Sequence, residues 1–107
     1  MRYPVIVVPF LKVSGMALFP FILVDAKESL QDKVLINHET IHLRQQAELL
    51  IIPFYILYLV NYAVNLVIYR NHYKAYLHIV FEQEAYRNEA SLSYLNNRRW
   101  FAWYSYF

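Results

Sequence analysis

From Leu49 to Tyr69 the chain runs 21 residues without a charge, and a protein of 107 residues has to be built around such a segment. Its length alone permits a membrane span. Pro53 splits it, however, and Phe54 to Tyr69 as a helix measures about 24 Å, short of a hydrocarbon core of roughly 30 Å. Tyr58, Asn61, Tyr62, Asn65 and Tyr69 recur along it at helical spacing. A helix surrounded by lipid has no use for that polar-tipped stripe, so the stripe is expected to face other helices. Ile56, Leu59, Val60 and Val67 are then left against lipid or a partner. Hydrophobic residues make up 59% of the sequence, above the roughly 45–50% of ordinary soluble domains. The excess has to be covered by a dense core, a partner or a bilayer.

On either side of this segment the pattern is helical. Ser29-Leu30-Gln31-Asp32 reads as a capping box, and residues 30–52 contain no Gly or Pro. A helix over 30–52, an apolar helix over 54–69 and a third helix over 76–96 follow, with 71–74 as the exposed turn before the last. Residues 1–25 read differently. Tyr3 to Leu11 and Met16 to Val24 are rich in Val, Ile, Leu and Phe and interrupted by Pro4, Pro9 and Pro20, which suggests a hairpin turning at Lys12 to Gly15 with edge character. The expected fold class is α+β, mainly α: one minimal domain, 1–107, with three helices and a short N-terminal β-hairpin.

Chemistry is concentrated on the first helix. His38-Glu39-Thr40-Ile41-His42 is an H-E-x-x-H sequence, for which the chain's 4 His and its Glu content predict roughly 0.01 chance occurrences. Histidines four apart project from one helical face and can reach a single metal ion, while Glu39 is offset from them and placed to take a proton from water. Gln45 and Leu49 share that face. With no cysteine, a thiolate zinc knuckle is excluded and the third ligand must be His or carboxylate. His72 and His78 remain, as do Glu82 and Glu84 in Phe81-Glu82-Gln83-Glu84-Ala85-Tyr86-Arg87-Asn88-Glu89. A carboxylate among apolar neighbours is costly unless it is paired or coordinating.

His38-Glu39-x-x-His42 followed by Phe81-Glu82-x-Glu84-Ala85-Tyr86 resembles the gluzincin zinc metallopeptidases, in which two His from one helix and a Glu from a later one bind zinc. It is especially similar to the membrane-associated branch that contains the CAAX-processing proteases and the antibiotic-sensor metallopeptidases. From about Asn37 onward the chain is also similar to short proteins of Bacteroidetes-type bacteria with an H-E-x-I-H-x-x-Q-Q run and an E-x-E-A-Y segment. The resemblance implies a zincin-like fold, Zn²⁺ held by His38, His42 and Glu82, Glu39 as general base, and peptide-bond hydrolysis of a peptide or protein substrate. Tyr86 stands where that branch usually has an Asp that orients a ligand His. A second register, as in thermolysin-like enzymes, makes Glu84 the ligand and Asn88 the orienting residue. Glu82 is preferred because the Phe before it and the Ala three after it fit the membrane-branch pattern.

Further expectations attach to this reading. Met16 to Val24 would be the edge strand that binds an extended peptide by strand addition. Tyr69, His72, Tyr73 and His78 would supply a donor for the tetrahedral oxyanion. The rival is a non-catalytic membrane-associated or interaction protein with a structural zinc site, and four protein ligands would favour it. A net charge of +2 with scattered basic residues argues against a nucleic-acid partner. The expected location is membrane-associated or cytoplasmic. Arg70, His72 and Lys74 put the downstream side of the apolar segment in the cytoplasm, and Arg98 to Tyr104 suit a membrane interface or a tail folded on the core. Prolines in the early apolar run and the lack of a small-x-small site argue against a cleavable signal peptide.

Overall fold

A computed structural model describes residues 3–107. Met1 and Arg2, the start of the expected β segment, lie outside the described residues. The fold is α+β and mostly helical. Three short strands, β1 (Val5–Val7), β2 (Gly15–Leu18) and β3 (Phe21–Val24), precede five helices: α1 (Lys33–Glu48), α2 (Ile52–Tyr69), α3 (His72–Leu77), α4 (Val80–Asn88) and α5 (Tyr94–Asn97). A 3-10 turn at Lys27–Gln31 leads into α1, and another at Ala102–Tyr106 ends the chain.

The expected hairpin is replaced by a different sheet. Pro20, which has no N–H for a ladder, makes the turn inside Met16 to Val24 and divides it into β2 and β3. These pair antiparallel, while β1 joins the far side of β3 in parallel, giving the order β1-β3-β2. β2 is therefore an edge and Phe21–Val24 is central, so the expected edge role of Met16 to Val24 contracts to Gly15–Leu18.

The helices also start and stop where tertiary contacts dictate. Ser29 does not cap α1; its hydroxyl donates to Asp25, and Asp32 caps instead, accepting from the Leu35 N–H at 3.0 Å. α1 stops at Glu48, four residues short of the expected end. Leu50 and Ile51 then take positive φ (61° and 68°), with Ile51 at ψ −71° in a tight turn closed by the Ile52 N–H on the Leu50 carbonyl, a strained backbone that costs on the order of 1–3 kcal/mol per residue. Pro53 does not close α1. It lies in the first turn of α2, where its missing N–H is harmless.

The expected helix over 76–96 is three pieces. Ile79 is extended (φ −62°, ψ 130°), and Asn61 Oδ1 from α2 accepts the Val80 N–H at 2.8 Å, starting α4 afresh. At the other end Asn37 Nδ2 from α1 donates to the carbonyls of Glu89 (2.7 Å) and Ser91 (3.0 Å), satisfying groups that a continuing helix would have used. Both ends of α4 are thus set by amides on other helices.

α1 lies between two apolar clusters. Leu43 packs with Ala17, Ile22 and Val24 of the sheet. The second cluster joins Phe54, Ile79, Val80, Phe81 and Trp103. The polar stripe of α2 faces α3 and α4: Asn65 donates to the Ala75 carbonyl and Tyr62 bonds His72 on α3, while Tyr58 and Asn61 reach α4, so of the two metal-bearing helices it bonds the second.

Candidate metal centre

His38 and His42 leave α1 one turn apart, toward the first turn of α4, where Glu82 is two residues past the restart imposed by Asn61. All three are buried. His38 Nε2 and His42 Nε2 lie 3.2 and 3.0 Å from the same oxygen, Glu82 Oε1, and 3.2 Å from each other.

Their surroundings determine which ring nitrogens carry protons. Gln45 Nε2 donates to the Phe81 carbonyl at 3.1 Å and to Glu84 Oε1 at 3.0 Å, so the amide oxygen must be the atom facing His42. That oxygen accepts from His42 Nδ1 at 2.7 Å, and Glu89 Oε1 accepts from His38 Nδ1 at 2.8 Å. With both protons on Nδ1, two Nε2 lone pairs and a carboxylate oxygen converge with no donor between them. Tyr58 donates to the other Glu82 oxygen at 2.6 Å, leaving Oε1 to the imidazoles.

Three converging acceptors repel one another unless something positive lies between them. Protons are one answer. Burial alone would lower the His42 pKa, but the Glu82 charge and hydrogen bond overcome it and raise it to about 9. Burial likewise opposes ionisation of Glu82, yet the His42 charge and bonds from both histidines hold its carboxyl below the usual range. A metal ion is the other answer, and the spacing fits one. Tetrahedral zinc with bonds of about 2.0–2.1 Å separates its ligand atoms by about 3.3 Å, within a few tenths of an ångström of the separations here. His38, His42 and Glu82 can therefore hold a metal ion; among the described residues the group has these three members.

No family model, curated protein or solved structure matches this chain. What the centre does has to be argued from its own residues.

Glu39 is buried, and its carboxylate has no hydrogen bond to any described residue. Burial raises its pKa, against the opposing pull of His42 and His38. It borders a cleft of about 1040 Å³ that also exposes the three ligand residues, Gly15 to Ala17 of β2, and Tyr58, His72, Tyr73 and Tyr76. At Gly15 a side chain would crowd this place, since a Cβ would lie 3.0 Å from Leu35 Cδ1 and 3.3 Å from Glu39 Oε2.

The remaining expected site residues separate clearly. Glu84 is not with the histidines. It is fully buried on another face of α4, bonded by Gln45, Tyr94 and Arg98, with Arg98 also paired to Glu48. Burial works against its ionisation, and the bonds from Arg98, Gln45 and Tyr94 together with the Arg98 charge more than offset this, holding its carboxyl below the usual range. Asn88 bonds the Glu84 carbonyl and the Tyr106 hydroxyl, so it orients neither histidine. Tyr86 packs its ring edge-on to His38 at 4.5 Å and bonds Tyr76, leaving the orienting acid to be Glu89. His72 and Tyr73 border the cleft; Tyr69 and His78 stack on each other at 4.3 Å and are not among its lining residues.

Glu89, Gln45 and Tyr58 are the supports to which sequence reading assigned no role at the centre. Gln45 was visible as a member of the His38 and His42 face, and Tyr58 as a member of the α2 stripe. Glu89 was visible as a member of the Glu82 face in the acidic segment, together with Ala85 and Leu92, but no pattern pointed it at His38.

Proposed function

We propose that the chain is a zinc-dependent peptidase of gluzincin type, with His38, His42 and Glu82 as ligands and Glu39 as general base. The observation that carries this reading is an unpaired Glu39 carboxylate at the open side of a three-ligand centre. A purely structural zinc would call for a fourth protein ligand. Here the fourth direction is supported by a cleft.

Zinc bound there would act as a Lewis acid on the scissile carbonyl. Glu39, its pKa raised by burial, would take the proton of the attacking water as the C–O bond forms and the carbonyl oxygen becomes an oxyanion, then deliver that proton to the amine as the oxyanion collapses and the C–N bond breaks. The β2 edge suits an extended substrate. Asp25 N–H bonds the Ser14 carbonyl across the hairpin, and by antiparallel alternation Gly15 and Ala17 direct their backbone groups away from β3. The Ala17 carbonyl is taken by Gln46 and Tyr55, which leaves the Gly15 groups and the Ala17 N–H for a peptide strand. His72, bonded at Nδ1 to Tyr62, and Tyr73 line the same cleft and would be the oxyanion donors.

The test is zinc content by elemental analysis together with cleavage of a mixed peptide library followed by mass spectrometry. One zinc per chain, lost in Glu82→Gln and kept in both Glu84→Gln and Glu39→Gln, with cleavage abolished in the zinc-free Glu82→Gln and in the zinc-loaded Glu39→Gln but kept in Glu84→Gln, is the expected result. Wild-type rates from Glu39→Gln would remove the base, and a zinc-loaded wild type that cleaves nothing would favour the structural role.

A further inference from the structure

α2 is the element whose packing leaves most undone. Of its 18 residues only Phe54 and Asn65 are buried, and its mean hydropathy is 1.6. At 3.6 residues per turn the exposed positions, among them Ile52, Ile56, Leu59, Val60, Val64 and Val67, sweep roughly 200° of the helix without one polar side chain. The polar side chains that bond other elements lie on the opposite arc: Tyr58, Asn61, Tyr62 and Asn65 toward α3 and α4, and Tyr55 toward β2.

We propose that this face docks on a bilayer surface carrying anionic headgroups, with α2 lying in the plane of the interface. Three observations select this occupant. An apolar stripe that serves one helical partner is on the order of 100° wide, half of what is presented here, whereas acyl chains conform to the whole arc. The charge around the face has one sign: no Asp or Glu occurs from Leu49 to Phe81 or from Ala90 to Phe107, while Arg70 and Lys74 are exposed just beyond the end of α2. Arg99 is exposed near its start, beside Arg98, which is tied to Glu48 at the end of α1. A second copy would bring the same cations to the interface, where an anionic headgroup layer neutralises them. Finally, Trp100 (79% exposed) and Tyr104 (70%) accompany Arg99, and Tyr73 (66%) accompanies Lys74, the amphipathic aromatics of a membrane interface.

The in-plane orientation follows from what is behind the helix. Its inner face carries Tyr58 and, through it, Glu82 and the metal centre, so a spanning α2 would draw these carboxylates to bilayer depth. Lying flat, the helix puts only its apolar arc into the acyl region. Leu59 belongs to both this face and the cleft, so the cleft mouth opens beside the headgroups. The proposal is independent of whether the centre hydrolyses peptide.

Flotation of the full chain with vesicles of phosphatidylcholine, and of phosphatidylcholine and phosphatidylglycerol in equal parts, tests it. Binding is expected to be about tenfold or more tighter to the anionic vesicles. It should fall at least about tenfold in Val60→Glu and Val67→Glu, both at exposed positions where the fold does not depend on the side chain. Because the chain has no cysteine, single cysteines at Ile52, Val60 and Val67 can carry spin labels, and equal shallow depths are expected from all three. Absence of vesicle binding overturns the proposal. So does a depth profile with Val60 deep and both ends shallow, which reports a span, or a chain that leaves vesicles free and forms dimers dissolved by Val67→Glu, which reports a second copy.

Discussion

Glu89→Gln is the substitution that most directly examines how the centre is held together. In the native chain Glu89 accepts from His38 Nδ1 at 2.8 Å, which fixes the ring tautomer and adds negative charge to the ligand. The amide oxygen of Gln preserves the acceptor and the shape while removing the charge. Loss of an outer partner of this kind costs about 10- to 100-fold in metal affinity, or about 1.4–2.7 kcal/mol. The Glu89 side chain is 27% exposed, so water already screens part of its field and the lower end, about tenfold, is expected. Tyr86→Phe is the matched control: among the described residues its hydroxyl bonds only Tyr76, the ring stays against His38, and zinc affinity should be unchanged. Competition against a chromogenic zinc chelator at neutral pH, with helicity checked by circular dichroism, measures both. Equal affinity of Glu89→Gln and wild type would refute the orienting role, and a loss in Tyr86→Phe would return that role to the position where the resembling proteases carry an Asp.

Two further outcomes follow from the buried charges. Removing the cation in Arg98→Met leaves Glu84 and Glu48, with side chains 0% and 3% exposed, without a counter-charge, and a broken buried pair costs about 3–5 kcal/mol. Thermal unfolding should move down by more than about 10 °C, and adding Glu84→Gln should restore part of it; an unshifted midpoint would mean that Arg98 carries no stability. Zinc affinity should also depend on pH, since a metal must displace the proton that Glu82 holds on His42. With that pKa raised from an ordinary 6.5 to about 9, apparent affinity should climb by up to about tenfold per pH unit and level off above about 9. For folding without metal the sign is opposite: the imidazolium–carboxylate pair stabilises fully below pH 6.5 and is lost as pH rises through about 9. Calorimetric titration across this range checks the first statement and urea unfolding of chelator-treated protein the second; pH-independent affinity would show that His42 is not a ligand.

How far the molecule was readable beforehand depended on whether the deciding contact was local. The i, i+4 histidines needed only helical geometry, and the inward stripe of α2 only its spacing, so both were legible. The break at Ile79 has no Gly or Pro to announce it, because its cause is Asn61, nineteen residues before the Val80 N–H that it accepts. The end of α4 is similarly owed to Asn37 on another helix. In the sheet, Pro20 was seen as an interruption, yet its consequence, a turn that moves β3 to the centre and pairs it with β1, required the parallel partner to be known.

Glu82 and Glu84 show the same limit at the chemical centre. They are two residues apart, equally buried and of identical chemistry, and no periodicity in α4 distinguishes a ligand from a structural acid. Their environments do. Glu84 meets a guanidinium, a phenol and an amide N–H, so its charge is already balanced and a metal ion would gain nothing from it. Glu82 meets one phenol and two imidazole nitrogens whose protons have been drawn to their far sides by Gln45 and Glu89. It is this convergence of lone pairs, created by residues outside the H-E-x-x-H motif, that gives the centre its demand for positive charge, met by a proton on His42 until a metal ion displaces it.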